Sequence, residues 1–165
     1  MSSTIIFGAF DDGDMIEVGA AKNALLGAMH VWRALGAKYL HNEMAAFMGD
    51  GKALWDLRID PRLSDTDRMV HVSTFDRAFV RRENILRVAD ALDGFVPASD
   101  NLKQQASHLR AAYVNGARVV GWQQTTVSEN LWSLEFGDGD DEGETEERPL
   151  NIDRDPITGP EVIPA

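Results

Sequence analysis

The stretch Ala117 to Trp132, ARVVGWQQTTVSENLW, constrains the fold more than any other part of the chain. Its β-branched and aromatic residues suit a pleated, packed strand, and it ends where the polymer changes character. From Glu135 onward the chain is acidic and contains frequent Gly and Pro. Residues 1–134 hold 14 Lys and Arg against 16 Asp and Glu, a net of −2, whereas residues 135–165 hold 2 against 11, a net of −9. Most of the formal charge of −11 therefore belongs to a tail rather than to the domain. This reading places a single globular domain at residues 1–134 and an acidic, Gly- and Pro-containing tail at residues 135–165. The tail is expected to be disordered or to dock on a partner, because it holds too little apolar surface to offset its chain entropy.

A buried late strand needs partners, and the N-terminus supplies them. Thr4 to Phe10 is a β-branched and aromatic run, Asp11-Asp12-Gly13-Asp14 has turn chemistry, and Met15 to Val18 can return. Asp12-Gly13 favours a tight hairpin because Gly accepts a positive φ. The period then changes. Ala21, Leu25, Ala28, Trp32, Leu35 and Tyr39 recur at steps of four and three, the stripe of an amphipathic helix. Gly36 marks a break in it, with a second helical segment expected over residues 37–48 before Gly49-Asp50-Gly51.

Trp55, Leu57 and Ile59 alternate with Asp56, Arg58 and Asp60, which predicts a short half-exposed strand closed by Pro61, although Leu54 and Leu57 also suit a helical turn. Ser64, three residues before Asp67, predicts the cap of a short helix carrying Met69, Val70 and Val72. A further helix is expected within residues 75–95, with Ile85, Leu86, Ala89 and Leu92 on its apolar face and Gly94 as its stop. Ser99 predicts the start of another, carrying Leu102, Ala106, Leu109 and Tyr113 and ending at Asn115-Gly116. Together these elements predict an α+β fold: a small antiparallel sheet, made from the N-terminal hairpin and a late strand, packed against several helices and followed by the acidic tail.

The chemistry in the chain is sparse. Without cysteine there are no disulfides, thiol nucleophiles or thiolate metal sites. His41-Asn42-Glu43 matches the His-x-Glu of zinc deaminases only in its first half, since that site also needs a Pro-Cys-x-x-Cys. His30 and His41 are about 16 Å apart along a continuous helix, too far to share a metal. Gly49-Asp50-Gly51-Lys52 lacks the spacing and the hydroxyl of a phosphate-binding loop, and no nucleophile elbow or dinucleotide fingerprint occurs. Asp11, Asp12 and Asp14 crowd one turn and offer hard oxygens to a divalent cation, but Asp is also an ordinary turn residue. In the tail, Asp138, Asp140 and Glu142 align with a calcium loop until its twelfth position, which is Pro149 where a bidentate Glu is needed. No cofactor and no metal site is expected.

Arg77, Arg81, Arg82 and Arg87 form the one basic concentration. Asp76, Glu83 and Asp90 interleave with them at helical pairing distance, so a salt-bridged face is the main expectation. The patch is also placed to dock the chain's own acidic tail. An acidic chain without a positive face disfavours direct binding of nucleic acid and favours a protein partner with a basic surface. The N-terminus lacks a basic region before its short apolar run, and nothing approaches the roughly 18 apolar residues of a membrane span, so a cytoplasmic location is expected.

These exclusions point to a small protein that binds another macromolecule and neutralises it, in the manner of an immunity protein or a phage-encoded inhibitor, rather than to catalysis. Trp122 and Trp132 are candidate interface anchors because aromatic residues dominate such contacts. Gln123 and Gln124 beside Trp122, and Asp138, Asp140, Asp141 and Glu142 in the tail, complete the candidate partner-binding set. A divalent-metal enzyme built on the Asp-rich hairpin, or a structural subunit of a larger assembly, are the alternatives.

Overall fold

The N-terminal alternation produces a hairpin. In the computed structural model, which describes residues 3–11, 15–22, 24–48, 50–124, 133–136, 146–149 and 159–162, β1 (Ser3–Ala9) pairs antiparallel with β2 (Met15–Lys22). The register runs from Ser3 opposite Lys22 to Ala9 opposite Met15 and slips between Ile6 and Phe7, leaving Val18 as the extra residue of a bulge. The turn residues 12–14 lie outside the described residues.

The late strand closes on this hairpin. With β3 (Phe79–Arg81), β4 (Val119–Gln124) completes a four-stranded antiparallel sheet in the order β2-β1-β4-β3. On β1 the register sets Thr4 opposite Gln124 and Ala9 opposite Val119; on β3 it sets Phe79 opposite Gly121. Strand β4 is thus interior to the sheet, and Val119, Val120, Trp122 and Gln123 are all buried. A strand with both neighbours paired has no solvated edge, which is why residues of this type serve there.

Local rules account for most helices. α1 (Ala24–Leu35) passes at Gly36 into a short π-helical turn, Gly36–Leu40. Gly36 is required by close approach, since a Cβ there would come within 2.5 Å of the Asn42 carbonyl oxygen. His41, at φ 53°, reverses the chain, and its backbone N–H closes on the Gly36 carbonyl. Residues 43–48 then run as turns, not as the continuous helix expected there.

The segment expected to alternate as a strand is helical instead: α2 (Gly51–Asp56) runs into a 3₁₀ turn, Leu57–Ile59. Leu54 and Leu57, three apart, are the two residues it buries, while Trp55 and Ile59 stay exposed. Local hydrogen bonds satisfy its backbone, among them Leu54 N–H to the Asp50 carbonyl at 3.2 Å and Asp60 N–H to the Leu57 carbonyl at 3.0 Å.

α3 (Asp65–Ser73) is capped by Ser64, whose Oγ accepts from the Asp67 N–H at 3.1 Å. α4 (Arg82–Asp93) buries Ile85, Val88, Ala89, Ala91 and Leu92, and stops at Gly94. α5 (Asp100–Val114) buries Leu102, Ala106, Leu109 and Ala112, and ends before Gly116 at φ 92°. The core joins these faces to Ile6, Val120 and Trp122. Strand β3, immediately before α4, is the member of this sheet that the sequence concealed, because three residues are too few to show a period.

Within residues 135–165, β6 (Glu146–Pro149) pairs antiparallel with β5 (Ser133–Phe136) in a separate two-stranded sheet. Residues 159–162 lie against β3, with Glu161 bridging Phe79 in parallel and Val162 fully buried. Among the described residues, no helix is long and apolar enough to cross a membrane.

Candidate functional site

The expected site residues do not come together on one described surface. Trp122 is 2% exposed, with its indole N–H donating to the Phe75 carbonyl at 3.2 Å, so it belongs to the packed interior. Gln123 is buried beside it, and Gln124 occupies the β4 position opposite Thr4. Trp132, Asp138, Asp140, Asp141 and Glu142 lie outside the described residues, as do Asp12 and Asp14. Asp11 is exposed and 3.4 Å from the Arg118 guanidinium. Among the described residues, no group of three potential metal ligands is close enough to hold an ion.

The arginine patch is divided among different tasks. Arg82 donates to the Tyr113 and Ala117 carbonyls at 3.2 and 2.9 Å and lies 4.3 Å over the Tyr113 ring, fastening β3 and α4 to the end of α5. Arg81 meets Glu161 at 3.2 Å, a contact between the patch and the acidic end of the chain. Asp90 pairs with Arg110 of α5 at 2.8 Å, joining two helices.

A different place in the molecule combines a cavity with exposed apolar side chains. Between α1, α2 and α3 a pocket of about 260 Å³ is lined by Trp32, Ala46, Leu54, Trp55, His71 and Phe75, with Gly51 at its edge. Its walls are fixed by contacts among themselves. The Trp32 indole N–H donates to Thr74 Oγ1 at 2.8 Å, and that hydroxyl donates to the His71 carbonyl at 2.6 Å. Trp55 and Phe75 pack with ring centroids 4.5 Å apart, and His71 meets the Phe75 ring edge-on at 5.0 Å. Arg58 lies 4.2 Å over the outer indole and donates to the Trp55 carbonyl at 2.9 Å. Arg68 reaches across from α3 to the carbonyls of Arg58 and Asp60, fixing the 3₁₀ turn.

His71 seals the floor. It is 0% exposed, and the polar group that faces its ring is the Leu54 backbone, in a contact too poorly aligned to be a full hydrogen bond. Burial, with a smaller effect from the positive charges of Arg58 and Arg68, pushes its pKa down to about 4, so the ring is neutral at pH 7. The hydroxyls nearest it in sequence are engaged elsewhere, Ser73 with the Met69 carbonyl at 2.7 Å and Thr74 as above. Among the described residues, no nucleophile–base pair is therefore assembled here.

The segments that supply Ala46, Leu54 and Trp55 to the pocket also carry exposed apolar side chains. Met44, Phe47, Met48, Trp55 and Ile59 are exposed, Met48 at 73% and Ile59 at 69%. Their rim is mixed in charge. Arg33 lies 5.3 Å over the Phe47 ring, Lys52 pairs with Asp56, and Asp50 accepts from Asn42 at 3.2 Å. By contrast, the cavity beside Trp122, lined also by Thr4 and Gln105, has only about 20 Å³ and admits no side chain.

Beneath this face, Asp67 of α3 receives the Tyr39 hydroxyl and the Lys38 ammonium, each at 2.6 Å. Burial raises the Asp67 pKa, but these two donors outweigh it and hold the carboxyl below its usual value. The pair ties the π-turn after α1 to the start of α3. No family model, curated protein or solved structure matches the chain.

The pocket was hidden in the sequence because its walls are spread from Trp32 to Phe75. One signal was available: Leu54 and Leu57 at helical spacing, which turns Trp55 outward once that reading is preferred to the alternating one.

Proposed function

We propose that this protein acts by binding another protein, and that the contact is made by the face between residues 44 and 59. The observation that carries this reading is the run of exposed Met44, Phe47, Met48, Trp55 and Ile59 within residues 44–59, the same stretch whose Ala46, Leu54 and Trp55 line an open aromatic-walled pocket. Contiguous apolar surface is costly to leave in water and characteristically marks an interface, and Met and Trp are enriched at such contacts. The other exposed large apolar residues, such as Val96 and Val114, lie apart from this run in the sequence.

The pocket suits one large apolar or aromatic side chain of the partner. Its 260 Å³ exceeds the ~150 Å³ that holds a benzene and falls below the ~300–1,000 Å³ of most small-molecule sites. The partner also carries a basic surface that faces the acidic residues 135–165, which hold −9 of the formal −11, and long-range charge steers the association. Such a protein works by occupying its target, as inhibitors and immunity proteins do.

The test is affinity purification from the source cell at low salt, with the full chain and with its Met48→Asp and Ile59→Asp variants. A stoichiometric basic protein retained by the wild type and lost by both variants, at unchanged melting temperature, is the expected result. Retention of the same protein by both variants would remove this face from the contact, and the absence of any stoichiometric protein would remove the function.

A further inference from the structure

Strand β3 has β4 on one side and residues 159–162 on the other, and each of these four residues meets a distinct requirement of its seat. At Gly159 a Cβ would come within 1.6 Å of the Arg77 carbonyl oxygen, so only glycine fits. Pro160 contributes its carbonyl, which accepts from the Phe79 N–H at 3.1 Å. Glu161 bridges Phe79 in parallel and reaches the Arg81 guanidinium at 3.2 Å. Val162 donates its N–H to the Phe79 carbonyl at 2.7 Å, and its side chain is 0% exposed within the core.

We propose that the edge of β3 is a peptide-recognition site for an extended segment of the pattern Gly-Pro-acidic-aliphatic. The chain's own residues 159–162 occupy it in cis, and a partner protein presenting the same pattern competes for it. The mode is strand addition, in which backbone hydrogen bonds hold the segment and alternate side-chain seats choose it. Phe79 supplies the backbone donor and acceptor, Arg81 selects the acidic residue, the Arg77 carbonyl selects glycine, and the core cavity filled by Val162 selects the aliphatic one.

Two backbone bonds, one fully buried apolar side chain and one half-exposed ion pair make up the seat. Because the cis segment belongs to the same chain, it re-engages without the cost of bimolecular association, so a partner segment must compete with it. This seat is separate from the face between residues 44 and 59 and stands whatever that face binds.

The probe is a fluorescent peptide of residues 157–165, ITGPEVIPA, titrated into the full chain. Gly159→Ala and Glu161→Arg dislodge the cis segment, and each variant is expected to bind the peptide roughly tenfold or more tightly than the wild type does, because the competent fraction rises. A peptide carrying the same Gly159→Ala change should not bind. The peptide with Glu161→Arg should bind only when the protein carries Arg81→Glu and a dislodged segment. If both variants keep the wild-type melting temperature and bind the peptide no better than the wild type, the proposal is overturned.

Should the variants fail to fold, the wild type with isotope-labelled Gly159 and Val162 decides the matter. Displacement of their resonances by excess unlabelled peptide at several mM supports the exchange, and unmoved resonances overturn it. A wild-type dimer that the peptide dissolves would assign the seat to a second copy and overturn the assignment to a different partner.

Discussion

Trp122 and Trp55 both meet Phe75, and they do opposite things there. Trp122 gives its indole N–H to the Phe75 backbone carbonyl and is enclosed by the sheet and helices. Trp55 packs its ring on the Phe75 ring and leaves 44% of its surface to solvent beside an open pocket. One residue type thus serves stability at the first position and presents a surface at the second. The difference arises from the elements that carry them: an interior strand buries both faces of its residues, whereas a one-and-a-half-turn helix at the surface buries Leu54 and Leu57 and turns the remaining side chains outward.

The largest expected effect tests the interior side of this comparison. Trp122→Ala should cost ~3–5 kcal/mol by denaturant unfolding, the usual result of emptying an aromatic core site. A cost below about 1 kcal/mol would mean that Trp122 is not part of the core.

The pocket floor gives the next effect. The folded-state pKa of His71 is lowered to about 4, while the unfolded chain takes up its proton near the ordinary 6.5. Between these values the unfolded state binds the extra proton, so stability falls as the pH drops from 6.5 toward 4 and levels off below. The total is ~3 kcal/mol, with ~2 kcal/mol of it between pH 7 and pH 5. Asp67 does not confuse that interval, because its lowered pKa keeps it ionised there and its contribution is lost only at more acid pH. Unfolding of the wild type and of His71→Leu at both pH values measures this directly, and the variant should lose the slope.

Ser64→Ala should cost ~1 kcal/mol through the lost cap of α3, a purely local change. The smallest effect on stability belongs to the exposed side of the comparison. Met48→Asp should change the unfolding free energy by no more than ~0.5 kcal/mol, while abolishing partner retention. A larger loss of stability would place Met48 in the core and remove the distinction between the two tryptophans.

Much of the architecture was legible because it rests on short-range physics. The caps at Ser64 and Gly116, the stop at Gly94, the break at Gly36 and the apolar stripes of α5 and, except for the exposed Leu86, of α4 each depend on residues within a turn or two of one another. The hairpin and the late strand followed from residue type, and their antiparallel pairing from the need to bury both. Where sequence reading went astray, two local rules competed. At residues 54–59 the alternating pattern and the Leu54–Leu57 spacing were both present, and the helical spacing prevailed, with Leu54 and Leu57 both buried. The candidate site was less legible. Trp122 answered to the same residue types that signal an interface, while Trp55, Phe75 and His71 carried no spacing that joined them.

The sequence by itself determined the N-terminal hairpin, the late strand and most of the helices, where most of these begin and stop, and that the net charge lies at the C-terminal end. Those properties depend on side-chain shape, backbone preference and hydrogen bonds between near neighbours. Tertiary structure alone decided that β3 exists as the partner of β4, that Trp32, Trp55, Phe75 and His71 enclose a pocket, and that residues 159–162 return to Phe79 and Arg81. Each of these joins residues far apart in the chain, and such contacts form only when apolar burial offsets the entropy of closing the loop between them.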